Sequence, residues 1–139
     1  MKRTLIDSGP LYALFDASDK YHENIIDFLK NFSGELFTTN FVITEVGHLL
    51  RKSTKAQINL MSFILDGGLN ILEFKQDYYN RLIELAKKYE DLPMDIADGS
   101  LIVISEIYGI TNIITIDSDY YIYRTKKRMA LNNIFIKYL

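Results

Sequence analysis

Leu92-Pro93-Met94-Asp95-Ile96-Ala97-Asp98-Gly99-Ser100-Leu101-Ile102-Val103-Ile104-Ser105-Glu106 is the stretch around which the chain is organised. It opens on a proline stop and sets Asp95 and Asp98 three residues apart. It then runs at once into Leu101, Ile102, Val103 and Ile104, with Tyr108 and Gly109 beyond. A proline, acids in the first turn, apolar spacing and a closing glycine predict one helix over 95–108. Its two acids share one side of the N-terminus. Asp is a favoured N-cap, because its carboxylate accepts orphan backbone N–H bonds and suits the positive end of the helix dipole. Capping alone accounts for an acid here. A chemical role requires more acids converging from elsewhere.

The flanking segments supply them. Downstream, 112–116 reads as an apolar strand ending in Asp117-Ser118-Asp119, followed by Tyr120, Tyr121 and Tyr123. Those rings can stack on bases, although burial at a sheet edge is the commoner fate of such residues. A last short strand falls at 133–136. Upstream, 77–89 reads as a helix burying Leu82, Ile83, Leu85 and Ala86, and 69–74 is strand-like. Ser53 or Thr54 caps a helix that turns Ile58, Met61, Ile64 and Leu65 inward and ends at Gly67-Gly68. Asn40 caps a helix through Leu50 with a stripe of Val42, Val46 and Leu49, and Glu45 lies in that stripe. A bare carboxylate is costly to bury, so Glu45 is paired, with Arg51 as one base in reach, or hydrogen-bonded, or bound to a cation.

Nearer the start, 36–38 is a brief strand. The span 19–31 is a helix burying Ile25, Ile26, Phe28 and Leu29, with His22 near its start as a surface or capping group. The chain opens with a strand over 3–7 that ends in Asp7. Ser8-Gly9-Pro10 then turns into a helix through Leu14, with Pro10 suited to its first position. Asp7 alone is open to the plain reading of a helix cap.

Strands alternate with helices throughout, which predicts an α/β fold with a mainly parallel central sheet and helices on both faces. At 139 residues the chain reads as one domain over 1–139. In such sheets ligands bind beyond the carboxyl ends of the strands. Asp7 and Asp117 end strands, Asp98 and Asp95 begin a helix leading to the second of them, and Glu45 can reach in from a neighbouring helix. Gathered acids repel unless protons or cations neutralise them. Oxygen donors without cysteine favour Mg²⁺ or Mn²⁺, which can activate water and stabilise in-line displacement at a phosphodiester.

Composition narrows the classes. Hydrophobic content of 48% with 24% charged residues is a globular balance rather than a disordered one. The longest apolar run falls well short of the ~18 residues of a membrane span. Asp7 interrupts the first apolar residues, which argues against a leader peptide, and the absence of cysteine excludes disulfides and thiolate metal sites. A cytoplasmic protein is the expectation. Net charge of −2 argues against a general nucleic-acid binder. Bases cluster, however, in Arg51-Lys52-Ser53-Thr54-Lys55, in Lys87-Lys88 and in Arg124-Thr125-Lys126-Lys127-Arg128. They form a basic rim for a phosphate backbone or, more plainly, solvated helix ends. There is no Gly-rich phosphate loop, and neither His22 nor His48 has a nucleophile-like context. Metal-assisted hydrolysis is the chemistry the residues allow.

Four ordered segments carry a family resemblance. They are Leu5-Ile6-Asp7-Ser8-Gly9-Pro10-Leu11, Thr44-Glu45, Leu92 to Leu101, and Ile114-Thr115-Ile116-Asp117-Ser118-Asp119-Tyr120. In order and spacing the chain resembles the PIN-domain family, and within it the VapC-type toxins of toxin–antitoxin pairs. The resemblance implies a Rossmann-like α/β/α sandwich and a Mg²⁺- or Mn²⁺-dependent endoribonuclease acting on RNA. It also implies a cognate antitoxin and a homodimer. Asp7 matches the family's first acid, Glu45 its second, Asp98 its third and Asp117 its fourth, with Thr115 as a supporting hydroxyl. By this resemblance Asp7 and Asp98 are the leading direct metal ligands, and Glu45 and Asp117 complete the site or orient water. Asp95 and Asp119 stand in a second tier, each a ligand, a supporting group or a cap. Gly99 departs from the small apolar residue, often Ala, that the family carries after the third acid.

Competing readings remain open. They are a PIN nuclease of RNA processing without an antitoxin, and a PIN scaffold without catalysis. A haloacid-dehalogenase-like phosphatase needs a second Asp two residues after the first, where this chain has Gly9. A receiver domain needs an acid paired with the phosphorylated Asp and a Lys after a late strand, and neither accompanies Asp7 or Asp117.

Overall fold

The computed structural model describes residues 2–92 and 94–139, so the proline stop at Pro93 lies outside the described residues. Five strands form one sheet: β1 (Lys2–Ile6), β2 (Gly34–Thr38), β3 (Asn70–Ile71), β4 (Asn112–Ile114) and β5 (Asn132–Asn133). Their order is β3-β2-β1-β4-β5 and every pairing is parallel. Parallel neighbours need long crossovers. Helices α1 (Ser8–Phe15) and α2 (His22–Lys30) join β1 to β2, and α3 (Asn40–Leu49) and α4 (Thr54–Leu65) join β2 to β3. Helices α5 (Tyr79–Lys88) and α6 (Ile96–Tyr108) lead back to β4.

The chain winds outward from β1 to β3, then returns to the far side of β1. Right-handed crossovers put helices made before and after that return on opposite faces of the sheet. The reversal falls between β1 and β4, which fixes the crevice where such sheets bind ligands. The central strands are buried on both faces, with Leu5, Ile6, Ile113 and Ile114 wholly enclosed.

Helix α6 begins and ends where the sequence predicts. Asp95 is its N-cap, accepting the Asp98 N–H at 2.8 Å, and Gly109 closes it in the left-handed region at φ 67°. Every residue from Ala97 to Ser105 is buried, because α6 packs against both α3 and α5. One ion pair fastens its far end. Arg81 of α5 meets Glu106 through Nε–Oε1 and Nη2–Oε2 contacts of 2.9 Å, and Glu106 Oε2 also accepts the Lys126 N–H at 2.8 Å.

Elsewhere the structure corrects the periodicity. Helix α4 turns Ala56 and Leu60 inward and leaves Ile58, Met61 and Leu65 exposed, the last at 86%. Ser53 accepts the Ala56 N–H at 3.1 Å and so starts the helix, whose buried stripe is narrow. On α5, Leu82 and Leu85 are buried while Ile83 and Ala86 face outward, and a 3₁₀ turn at Gln76–Tyr78 precedes the helix. Leu49 of the α3 stripe is exposed too. Pro10 is the third residue of α1 rather than the first, still among positions whose N–H has no partner within the helix. Helix α2 starts at His22 because Asp19 Oδ1 holds the Tyr21 N–H in a turn.

β3 is two residues long, not six. β4 stops at Ile114 and β5 at Asn133 because the Asn133 side chain takes over the ladder. Its amide accepts the Thr115 N–H at 3.3 Å and the Phe135 N–H at 3.1 Å and donates to the Thr115 carbonyl at 3.0 Å. No helix among the described residues is long and apolar enough to cross a membrane.

The Arg81–Glu106 pair generates a stability prediction. Glu106→Ala strands a half-buried guanidinium and the Lys126 N–H, and is expected to cost about 2 kcal/mol. Glu84 meets Arg81 at 3.4 Å from an exposed position, and Glu84→Ala is expected to cost under about 0.5 kcal/mol. Urea unfolding midpoints of the two variants check the contrast.

Candidate metal centre

The crevice between β1 and β4 is built by register. Ile6 pairs with Ile114, and the Asp7 N–H donates to the Ile114 carbonyl at 3.0 Å, so the residues after each strand come level. There the buried Thr115 hydroxyl donates to Asp7 Oδ2 at 2.9 Å and accepts the Asp117 N–H at 3.0 Å. One hydroxyl thus sets both strand-end acids. Gly9 keeps the crevice narrow, since a Cβ there would lie 2.7 Å from Ile116 Cγ1.

The third acid arrives from α6. In a capping box the N3 acid would reach back to the cap's N–H. Asp98 occupies N3, yet its buried carboxylate faces the crevice, and the Tyr120 hydroxyl stands 3.4 Å from Oδ1. Carboxylate oxygens of Asp7, Asp98 and Asp117 all lie within 4.8 Å of one another. No cation answers them, because the ion pairs among the described residues are those of Arg81.

The electrostatics follow from burial. Desolvation pushes Asp7 up to about 7, against the smaller pull of the Ser8 N–H and the Thr115 hydroxyl. Desolvation, then repulsion from Asp7, Asp95 and Asp117, pushes Asp98 up to about 8. Asp7 Oδ1 is enclosed and has no hydrogen-bond partner.

Glu45 stands on α3 at the margin of this cluster, outside the group of three. Its Oε2 is enclosed without a hydrogen-bond partner. Burial and the charge of Asp95 push it above the usual carboxylate range, with the nearby Ser8 hydroxyl opposing. Arg51 does not pair with it; that guanidinium turns to the His48 carbonyl at 3.0 Å. Asp95 is exposed and spends an oxygen on the α6 cap. Asp117 Oδ1 accepts the Asp119 N–H at 2.9 Å, and Asp119 is half-buried beside the cluster.

Other sequence expectations shift. Tyr120 and Tyr123 are buried, edge to face at 5.2 Å, and only Tyr121 of the three is exposed. The bases fall at separate places. Arg51-Lys52 follows the C-terminus of α3, Lys87-Lys88 ends α5, Arg124 donates to the Tyr89 hydroxyl and the Tyr123 carbonyl, and Lys126 to Arg128 lie on an exposed turn beside the far end of α6. By the helical rise that turn stands roughly 12 Å from Asp98. Helix C-termini favour such cations. His22 holds Nδ1 2.7 Å from the Ala13 carbonyl, away from the acids. Sequence reasoning missed the parts played by Ser8, Tyr120 and Asn133. Adjacency to Asp7 in the chain is the available signal for Ser8; the parts of Tyr120 and Asn133 depend on the fold.

The donor set suits a hard divalent cation: three clustered carboxylates, one carrying an enclosed free oxygen, and no nitrogen or sulfur donor. Without metal, the raised carboxyls give a stability contribution that is present near pH 4 and lost as pH rises through about 7 to 8. Metal-free protein is therefore expected to melt at least about 5 °C lower at pH 8 than at pH 5. Mn²⁺ is expected to raise Tm more at pH 8 than at pH 6. Asp98→Asn is expected to flatten both trends in differential scanning fluorimetry.

The model of the PIN domain family matches residues 4–127. Ribonuclease VapC26 of Mycobacterium tuberculosis is 23% identical over 115 residues, spanning 81% of this chain and 85% of that protein. Among solved structures, the sarcin-ricin loop cleaving toxin VapC20 of M. tuberculosis aligns with a TM-score of 0.78 at 17% identity, over 86% of this chain and 93% of its own. A toxin–antitoxin complex from Klebsiella pneumoniae aligns with a TM-score of 0.64 at 18% identity, over 83% and 87%. The parallel sheet reversing between β1 and β4 is the fold these chains share, and with nine-tenths of its length under the family model the chain belongs to the PIN domain family.

Proposed function

We propose that residues 1–139 form a single PIN domain acting as a Mg²⁺- or Mn²⁺-dependent endoribonuclease, the toxin of a toxin–antitoxin pair. The observation that carries this reading is the crevice itself. Asp7, Asp98 and Asp117 converge without an ion-paired base among the described residues, and Asp7 Oδ1 is enclosed and has no hydrogen-bond partner among them. The ribonuclease name of the VapC26 relative and the toxin–antitoxin complexes among the structural neighbours support the activity and the antitoxin partner. A homodimer and a cytoplasmic location accompany the same reading.

Asp7, Asp98 and Asp117 hold the ion. Glu45 would orient the attacking water and accept its proton, a role its raised pKa suits. Thr115 keeps Asp7 and Asp117 in place, Asp95 fixes the start of α6, and Asp119 anchors Asp117 through its backbone N–H. An ion held by Asp7, Asp98 and Asp117 would supply Lewis-acid polarisation of the phosphoryl oxygen and a more acidic water. Asp7 and Asp98 release their protons as the site fills, because carboxylates ligate in the ionised form.

The test is cleavage of total cellular RNA with Mg²⁺, Mn²⁺ or EDTA. Wild type is expected to cut only with metal, and Asp98→Asn to lose at least about 100-fold in rate. Asp95→Asn, which preserves the cap, is expected to stay within a few-fold of wild type. RNA left intact by the wild type with either metal, or an Asp98→Asn variant as active as wild type, would overturn the reading.

A further inference from the structure

A second feature shares the sheet edge with the acids. Asn40, Phe41, Ile71, Glu73 and Phe74 line an open cleft of about 460 Å³. Ile71 ends β3, and Asn40 and Phe41 begin α3 just after β2. In a parallel sheet these strand ends lie on the same edge as Asp7 and Asp117. Two strand spacings separate the cleft from the crevice, about 10 Å. Phe41 is also one helical turn before Glu45, at i and i+4, so its ring lies on the α3 face that carries Glu45.

The walls are aromatic and braced. Phe74 sits edge to face with Phe41 at 5.3 Å, Tyr79 at 5.1 Å and Tyr78 at 5.5 Å. Rings that fix one another lose little freedom when a flat partner docks. Glu73 is the charged residue of the cleft lining and it is an acid, so the cleft repels phosphate. A carboxylate does accept hydrogen bonds from the amino group of a base. Lys75, one residue past Phe74, is exposed and makes no ion pair among the described residues, leaving it free for an adjoining phosphate.

We infer that this cleft holds an unpaired base of the RNA about one to two nucleotides from the cut, stacked on the Phe41 ring with the perpendicular Phe74 ring meeting its edge, and with Glu73 favouring an amino-bearing base over uracil. The inference rests on the ribonuclease reading and adds to it a specificity site. Base–aromatic stacking is sequence-tolerant by itself, so the selectivity resides in Glu73.

The probes are fluorescein-labelled ten-nucleotide oligo(A), oligo(C) and oligo(U), titrated by anisotropy with Mn²⁺ against Asp98→Asn protein. Phe41→Leu and Phe74→Leu, added to that background, keep apolar volume and remove the ring. Oligo(A) and oligo(C) are expected to bind more tightly than oligo(U). Each ring variant is expected to weaken binding about tenfold, with the Mn²⁺-induced rise in Tm of the otherwise wild-type variants unchanged. Glu73→Gln is expected to narrow the preference against oligo(U). Unchanged affinity in the Phe41→Leu/Phe74→Leu double variant overturns the inference. So does lost affinity accompanied by a shift from dimer to monomer in size exclusion, which would assign the face to a second copy. Failure of the ribonuclease reading looks different: no oligonucleotide binds any variant, and Mn²⁺ does not raise the wild-type Tm.

Discussion

Uncompensated negative charge is the constraint from which the rest of the structure follows. Oxygens of Asp7, Asp98 and Asp117 lie within 4.8 Å of one another in a crevice where no base pairs with them among the described residues. Like charges that close repel by on the order of 1–4 kcal/mol per pair in a protein's outer layers. The fold holds them there nonetheless, through the β1–β4 register, the Thr115 hydroxyl and an α6 buried from Ala97 to Ser105. Such a cluster is stable only when protons or a cation answer it. Asp7 and Asp98, pushed up to about 7 and about 8, keep protons at neutral pH when no metal is bound.

The topology makes that arrangement possible. A chain that winds from β1 to β3 and returns beside β1 leaves a crevice where its direction reverses. Both strand-end acids fall in it, and the helix feeding β4 delivers the third. The Arg81–Glu106 pair works from the other end of α6, binding it to α5 and to the segment before β5. Asp95 closes the near end. Fixed at both ends, α6 can carry an acid toward two others without swinging it out to solvent.

Legibility from the sequence followed how local each determinant was. Helix α6 was readable because cap, apolar run and closing glycine are all within it. The parallel α/β class was readable from alternation, and the convergence of Asp7, Asp98 and Asp117 from strand-end and helix-start positions, with Glu45 at the margin. What failed was decided by tertiary packing. The inward face of α4 could not be read because Ile58, Met61 and Leu65 are apolar at helical spacing yet exposed, while the helix touches the body through Ala56 and Leu60. The short β4 and β5 depend on the Asn133 amide replacing main-chain pairing, a contact between segments 18 residues apart. The aromatic cleft joins Phe41 to Phe74, Tyr78 and Tyr79 across α3 and the segment after β3, which no local pattern marks.

The account turns on protons held by Asp7 and Asp98 until a divalent ion displaces them. The most direct measurement is titration calorimetry of Mn²⁺ into metal-free protein at pH 7, repeated in buffers of different ionisation enthalpy. The prediction is binding coupled to release of roughly one to one and a half protons, falling by more than half in Asp98→Asn. Heats independent of the buffer, or no binding at all, would contradict it.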